Sequence, residues 1–215
     1  MVPISERLYQ FSDYIPRLDF TIHQYLLAAD PAVLFAAGTH QQARAILPEL
    51  RELLSGRPLK YVFVSHVESD ECGGSSVLLG EWPEMTVLCS ALAARELSGF
   101  GYGGRVIVAS PGSPLEDGEL SLRSILYPSE VHLQDGLVCY EEGSGVFYSS
   151  DLMLRFGDGR GRTLRAHWED EVRAISLDRV PHEARLRALQ EALLGISPKF
   201  VAVGHGTCVE CVGRR

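Results

Sequence analysis

Short apolar runs of strand length alternate along the chain with stretches whose apolar residues recur at helical spacing. Residues 18–27 and 32–36 read as a strand pair turned at Ala29-Asp30-Pro31. Thr39-His40-Gln41-Gln42 has the form of a capping box, and Ala43, Ile46, Leu47, Leu50 and Leu54 follow it at helical spacing. Residues 61–65 form the next strand pattern. A helix opening near Gly73, a strand from Met85 to Cys89, a helix from Ala91 to Leu97 and a strand from Arg105 to Ala109 come after it. The second half predicts strands near 119–127, 137–142 and 145–150, then helix from about 164 to 176 and, after Pro181, to Leu194. Leu186, Leu189 and Leu193 mark the buried face of that last helix. No repeat, low-complexity run or linker divides the sequence, so residues 1–215 are expected to form one domain. The pattern suits an α/β fold, an αββα sandwich of two mixed sheets flanked by helices.

Several apolar runs end in residues able to hold a metal. After Tyr61-Val62-Phe63-Val64 comes Ser65-His66-Val67-Glu68-Ser69-Asp70-Glu71-Cys72-Gly73-Gly74. Residues two apart on an extended chain point the same way, so His66, Glu68 and Asp70 can converge at the strand's C-terminal end. Three further candidates stand at similar places. His132 lies in a short extended piece before Asp135-Gly136, Asp151 ends the run Gly145-Val146-Phe147-Tyr148-Ser149-Ser150-Asp151, and His205 closes Lys199-Phe200-Val201-Ala202-Val203-Gly204-His205-Gly206. Imidazole and carboxylate together suit one or two divalent metals.

This arrangement resembles the metallo-β-lactamase superfamily, in which a His-x-His-x-Asp-His loop, a later His, an Asp and a final His hold one or two metals. Here Glu68 takes the place of the loop's second His, and in this the chain is similar to the diiron domain of flavodiiron proteins and to stand-alone oxygen-binding diiron proteins. The likeness extends to Ser149-Ser150-Asp151, to the 19-residue step from His132 to Asp151, to Gly204-His205-Gly206 and to an opening strand pair at Phe20–Leu27 and Leu34–Thr39. The resemblance implies that His66, Glu68 and His132 hold a first metal, Asp70 and His205 a second, and that Asp151 bridges them. Two departures stand out. Glu71 occupies the position of a usual His, offering a carboxylate in its place or leaving a coordination site open. The sequence also stops ten residues after His205, which leaves no room for a flavin within this chain, so electrons would have to come from a separate donor.

Three carboxylates, Glu68, Asp70 and Asp151, offset much of the charge of two divalent metals. This weakens the acidity that a zinc hydrolase needs and favours higher iron oxidation states, so iron is the expected metal, with zinc or manganese able to occupy the site. The resemblance therefore implies a dinuclear non-haem iron protein that binds, senses or reduces dioxygen or nitric oxide, and a possible homodimer. The alternative is a metal-dependent hydrolase of esters, thioesters or phosphodiesters, in which Asp70 would be catalytic and orient the attacking hydroxide.

Net charge is −8 with scattered basic residues, the wrong sign for a nucleic-acid surface. The N-terminus lacks the form of a secretory signal and no apolar stretch approaches bilayer length, so a cytoplasmic protein without membrane partners is expected. Cys72, Cys89 and Cys139 read as reduced core residues, and Cys208-Val209-Glu210-Cys211 as tail thiols, with a redox or metal-binding pair as the sharper alternative. His23, His40, His167 and His182 read as ordinary polar positions, His40 also as a candidate donor behind a ligand. Gly157-Asp158-Gly159-Arg160-Gly161-Arg162 lacks the Lys-Ser/Thr of a phosphate loop and reads as a flexible surface loop or lid.

Overall fold

A computed structural model of the chain describes residues 1–128 and 135–213. Among these residues two seven-stranded sheets pack face to face with helices outside, the expected αββα sandwich. The first sheet runs in chain order through β1 (Val2–Pro3), β2 (Leu8–Ile15), β3 (Phe20–Leu27), β4 (Ala32–Phe35), β5 (Leu59–Phe63), β6 (Thr86–Cys89) and β7 (Arg105–Val108). Pairing is antiparallel up to β4 and parallel from β4 to β7. The parallel steps cross over through α1 (His40–Leu54), α2 (Ser69–Cys72) with α3 (Ser75–Glu81), and α4 (Ala91–Gly99).

Strand alternation divides the core in two. Val33, Phe35, Tyr61 and Phe63 face the second sheet, whereas Leu34 and Val62 face the helices with Ile46, Leu50 and Leu54 of α1. Strands covered on both sides need apolar residues at every position, which is why these runs show no polar alternation. Thr39 caps α1 with both halves of the capping box formed with Gln42.

The second sheet contains β8 (Leu115–Asp117), β9 (Leu120–Tyr127), β10 (Gly136–Glu141), β11 (Val146–Ser150), β12 (Thr163–His167), β13 (Phe200–Val203) and β14 (Cys208–Val212), in the order β12-β14-β13-β11-β10-β9-β8. Helices α5 (Trp168–Ala174) and α6 (Glu183–Leu194) pack on it, and the indole of buried Trp168 donates to the carbonyl of Leu193. Strands β11 and β13 are parallel, so the chain leaves both at the same edge. Ser65, just past β5, donates its hydroxyl to the carbonyl of Leu137 and accepts the Leu137 amide, which brings the end of β5 to that edge as well.

Several elements differ from the sequence reading. Strand β2 is not apparent from the apolar pattern because Gln10, Ser12 and Asp13 interrupt it. Yet it pairs with β3 along its whole length, and buried Gln10 is satisfied by Tyr25, Cys208 and the amide of Gly161. Residues 163–167 form a strand and not the start of a helix, since they pair with β14. The segment of the tail thiols is β14 itself. Cys208 and Cys211 lie an odd number of residues apart on that strand and so project to opposite faces, Cys208 buried, which rules out a CxxC pair. The segment read as a flexible lid is tied down, with the amides of Gly157, Gly159 and Gly161 bound to Asp19, Thr21 and Gln10.

Candidate metal centre

Ligand-bearing segments meet at the sheet edge just described. His66 lies three residues past β5, and Glu68 sits in extended conformation immediately before α2. Asp70 is in the first turn of α2, so it reaches the site from a helix and not from the extended run that alternate spacing implied. Asp151 follows β11 in a 3-10 turn, where Ser150 adopts φ 47° and ψ −129°, a strained conformation for a residue with a side chain. His205 follows β13.

One oxygen of Asp151 faces each histidine. Oδ2 is 3.5 Å from His66 Nε2, and Oδ1 is 2.9 Å from His205 Nε2. Glu68 Oε2 lies 3.6 Å from His66 Nε2, and Asp70 Oδ2 lies 3.6 Å from His205 Nε2. One atom each from His66, Glu68 and Asp151 fit within 4.8 Å of one another. Asp151 thus stands between two histidine–carboxylate pairs. Both histidines are almost fully buried, while the Glu68 side chain is 40% exposed and marks the open side.

The outer nitrogens explain how the rings are aimed. His205 Nδ1 donates to the carbonyl of Thr21 at 3.0 Å, which places its hydrogen there and leaves a lone pair on Nε2 in the neutral ring. Phe20 stacks on the same ring with centroids 4.3 Å apart, and Phe156 lies beyond Phe20. His66 Nδ1 contacts Ser65 Oγ at 3.3 Å. Buried Asp151 Oδ1 receives no directed hydrogen bond among the described residues, despite its short approach to His205. Two lone-pair-bearing atoms turned toward each other in a buried place fit a cation between them.

The electrostatics agree. Burial lowers the proton affinity of His66, but its bond to Glu68 and the charges of Glu71 and Asp151 outweigh this and push it up to about 9. Burial likewise lowers His205, and Asp151 followed by Asp70 reverses the direction. Burial raises Asp70 and Glu71, helped in each case by the charge of Asp151. Asp151 itself is lowered, because His205, His66 and Arg179 overcome its burial. So many carboxylates in one buried place call for positive charge.

Both oxygens of Glu71 accept hydrogen bonds. Its Oε1 accepts hydroxyl hydrogens from Tyr148 at 2.5 Å and Ser150 at 2.7 Å, and its Oε2 accepts the Ser65 amide at 3.3 Å. The carboxylate joins the segment before His66 to the strand before Asp151. His132 falls outside the described residues. His40 is exposed and accepts from Arg44, so among the described residues it stands behind no candidate ligand. Phe20, Thr21, His23, Tyr148 and Ser150 are contributors that the sequence reading missed. Polar Thr21 and His23 at alternate positions near the start of β3 were the available signal.

The chain belongs to the family described as ODP family beta lactamase, whose model matches residues 20–206. It is 23% identical over 131 residues to the anaerobic nitric oxide reductase flavorubredoxin of Salmonella typhi, covering 60% of this chain and 27% of that protein. It is 27% identical over 199 residues to the putative diflavin flavoprotein A 2 of Nostoc sp., covering 86% of this chain and 33% of that protein. The chain therefore spans about a third or less of the length of these relatives. Among solved structures, rubredoxin oxygen:oxidoreductase from Desulfovibrio gigas superposes with a TM-score of 0.79 at 17% identity, over 98% of this chain and 57% of that one. That likeness establishes the shared fold. No helix among the described residues is long and apolar enough to cross a membrane.

Proposed function

We propose that this chain is a dinuclear non-haem iron protein that binds or reduces dioxygen or nitric oxide, taking its electrons from a separate donor. The observation that carries this reading is the placement of Asp151 with one oxygen toward His66 and the other toward His205. His66 and Glu68 would hold the first metal with His132, Asp70 and His205 the second, and Asp151 would bridge. Support comes from the relatives' names, which speak of nitric oxide reductase and oxygen:oxidoreductase activities on the same fold. Iron bound there would supply reversible one-electron chemistry and open positions for a diatomic ligand.

The protein's own residues set the conditions. Thr21 and Phe20 fix the plane and tautomer of His205, and Ser65 contacts the outer nitrogen of His66. Glu71 ties Ser65 to Ser150 and so holds the two ligand-bearing segments together without spending a coordination position. Glu68, at the open side, adds the carboxylate that disfavours hydrolysis by weakening metal acidity. No particular contact in the site favours the hydrolase reading.

The test is elemental analysis of protein purified anaerobically without added metal, followed by exposure of the ferrous form to dioxygen or nitric oxide. Close to two irons per chain and a new near-ultraviolet or visible absorption are expected. Zinc-loaded protein with efficient esterase activity, and no spectral response of the iron form, would overturn the reading.

A further inference from the structure

We propose that His23, on β3, is a positioning residue for His205, acting through the backbone of the Gly204-His205-Gly206 turn. The inference rests on reading the site as a metal centre only for its consequence, since the positioning itself is a property of the metal-free chain. His23 grips the turn on both sides of His205. Its backbone amide donates to the carbonyl of Gly204 at 2.9 Å, and its ring Nε2 lies 2.7 Å from the carbonyl of Gly206. A carbonyl only accepts, so Nε2 carries the hydrogen. Nδ1 is then an acceptor, and Ser12 Oγ, directly opposite in the β2–β3 register, stands 2.7 Å away to donate to it. Ser12 thereby selects the tautomer of His23 that can hold Gly206.

The turn needs such a hold. Both neighbours of His205 are glycines, so neither has a side chain to pack, and Gly206 sits at φ +83°, open to glycine and strained for other residues. A Cβ on Gly206 would lie 2.2 Å from the carbonyl of Arg155, and one on Gly159 would lie 2.1 Å from the carbonyl of Gly206. The outer side of the turn is therefore pressed against the 155–159 segment, with the Arg155 amide bonded to the His205 carbonyl. His23 supplies the inner, buried support. If its bond to Gly206 is lost, the peptide can rotate, and the His205 ring swings with it, away from the Thr21 carbonyl behind it and from Asp151 and Asp70 ahead. The hydrogen bonds of His23 go to Ser12, Gly204 and Gly206, so its effect on His205 passes through the backbone of the turn.

The experiment compares His23→Met with His23→Gln, two side chains of similar length of which only glutamine can donate an N–H to Gly206. Two readouts are taken. In metal-free protein, at a pH high enough to leave the His205 ring neutral despite the raising effect of Asp151 and Asp70, nitrogen-15 NMR of that assigned ring should show a single Nδ1–H tautomer in wild type and in His23→Gln, and an averaged one in His23→Met. In cobalt(II) titrations followed by visible absorption, His23→Met should weaken one of two binding positions by about 10- to 100-fold, the range found when support behind a ligand is removed. His23→Gln should stay within about threefold of wild type. If His23→Met fails to fold, Ser12→Ala takes its place, with mixed tautomers at His23 and a smaller loss at the same position expected. Equal NMR spectra and equal cobalt affinities across the variants would overturn the proposal, as would a loss shared equally by both positions. Wild-type protein that takes up no cobalt while the NMR contrast persists would refute the metal centre and leave the positioning of His205 intact.

Discussion

Tyr148 donates its hydroxyl hydrogen to Glu71 Oε1 at 2.5 Å, deep between the two sheets. With Ser150 on the same oxygen and the Ser65 amide on the other, this carboxylate is satisfied by groups behind the ligand-bearing segments. These bonds lead to the expectation that Glu71 holds the fold at the site. Glu71→Ala would strand two hydroxyls and an amide in a buried place and should cost about 2–4 kcal/mol of stability, given roughly 1–3 kcal/mol per unsatisfied buried polar group with partial relaxation. Denaturant midpoints check this.

Glu71→Gln separates support from ligation. Glutamine keeps an acceptor oxygen of similar reach, so metal content by elemental analysis should match wild type while stability falls modestly. Loss of about half the metal in a folded Glu71→Gln protein would instead make Glu71 a ligand.

Asp151 should behave differently, because its two oxygens face different histidines. Asp151→Ala is expected to lower occupancy at both positions, whereas a change confined to Asp70 should deplete mainly the position shared with His205. Chelation of the wild type should reduce its melting temperature, since a ligand that binds only the folded chain stabilises it by mass action. An Asp151→Ala protein with full metal content would remove the bridge.

Buried His23 gives a pH signature of its own. Burial, reinforced by the charge of His205 and only partly offset by the Gly206 carbonyl, lowers its proton affinity to about 4, against 6.5 for an ordinary histidine. Below pH 6.5 the unfolded chain takes up a proton that the folded chain refuses, so stability falls on acidification until about pH 4 and this group adds nothing further below that. The full effect is on the order of 3 kcal/mol. His23→Gln should lack it. The stability gap between wild type and His23→Gln should therefore shrink by about that amount between neutral pH and pH 4, measured by urea unfolding. A constant gap would show that His23 takes up its proton equally in both states.

Much of the architecture was legible because covered strands write themselves as apolar runs. The runs ending near Phe63, Ser150 and Val203 pointed to one sheet edge, and His66, Glu68, Asp70, Asp151 and His205 do gather there. What escaped the sequence were relationships across long separations. Strand β2 hid behind Gln10, which is polar yet buried because three distant groups bond to it. Residues 163–167 have no periodicity that distinguishes strand from helix, and their pairing with β14 decided the matter. The ambiguity of Glu71 could not be resolved by spacing, because its partners Tyr148 and Ser150 lie more than seventy residues away. His23 looked ordinary for the same reason: Gly206 reaches it only through the fold.

The final prediction turns on Glu68, whose carboxylate lies 3.6 Å from the buried Nε2 of His66 while its side chain remains 40% exposed. An anionic oxygen here offsets metal charge, disfavours an acidic bound water and supports iron over zinc. Glu68→His would exchange it for a neutral nitrogen on the solvent side, where the larger ring has room. Zinc affinity should then rise, and hydrolysis of a simple activated ester at neutral pH should increase by about tenfold or more as the pKa of metal-bound water moves toward about 7. The same substitution should diminish the absorption change that dioxygen produces in the ferrous protein. Parallel zinc and iron titrations of wild type and Glu68→His, each followed by ester hydrolysis and by anaerobic-to-aerobic difference spectra, measure both effects. If the substitution leaves hydrolysis at background and the iron response unchanged, the carboxylate at this position does not set the chemistry of the site.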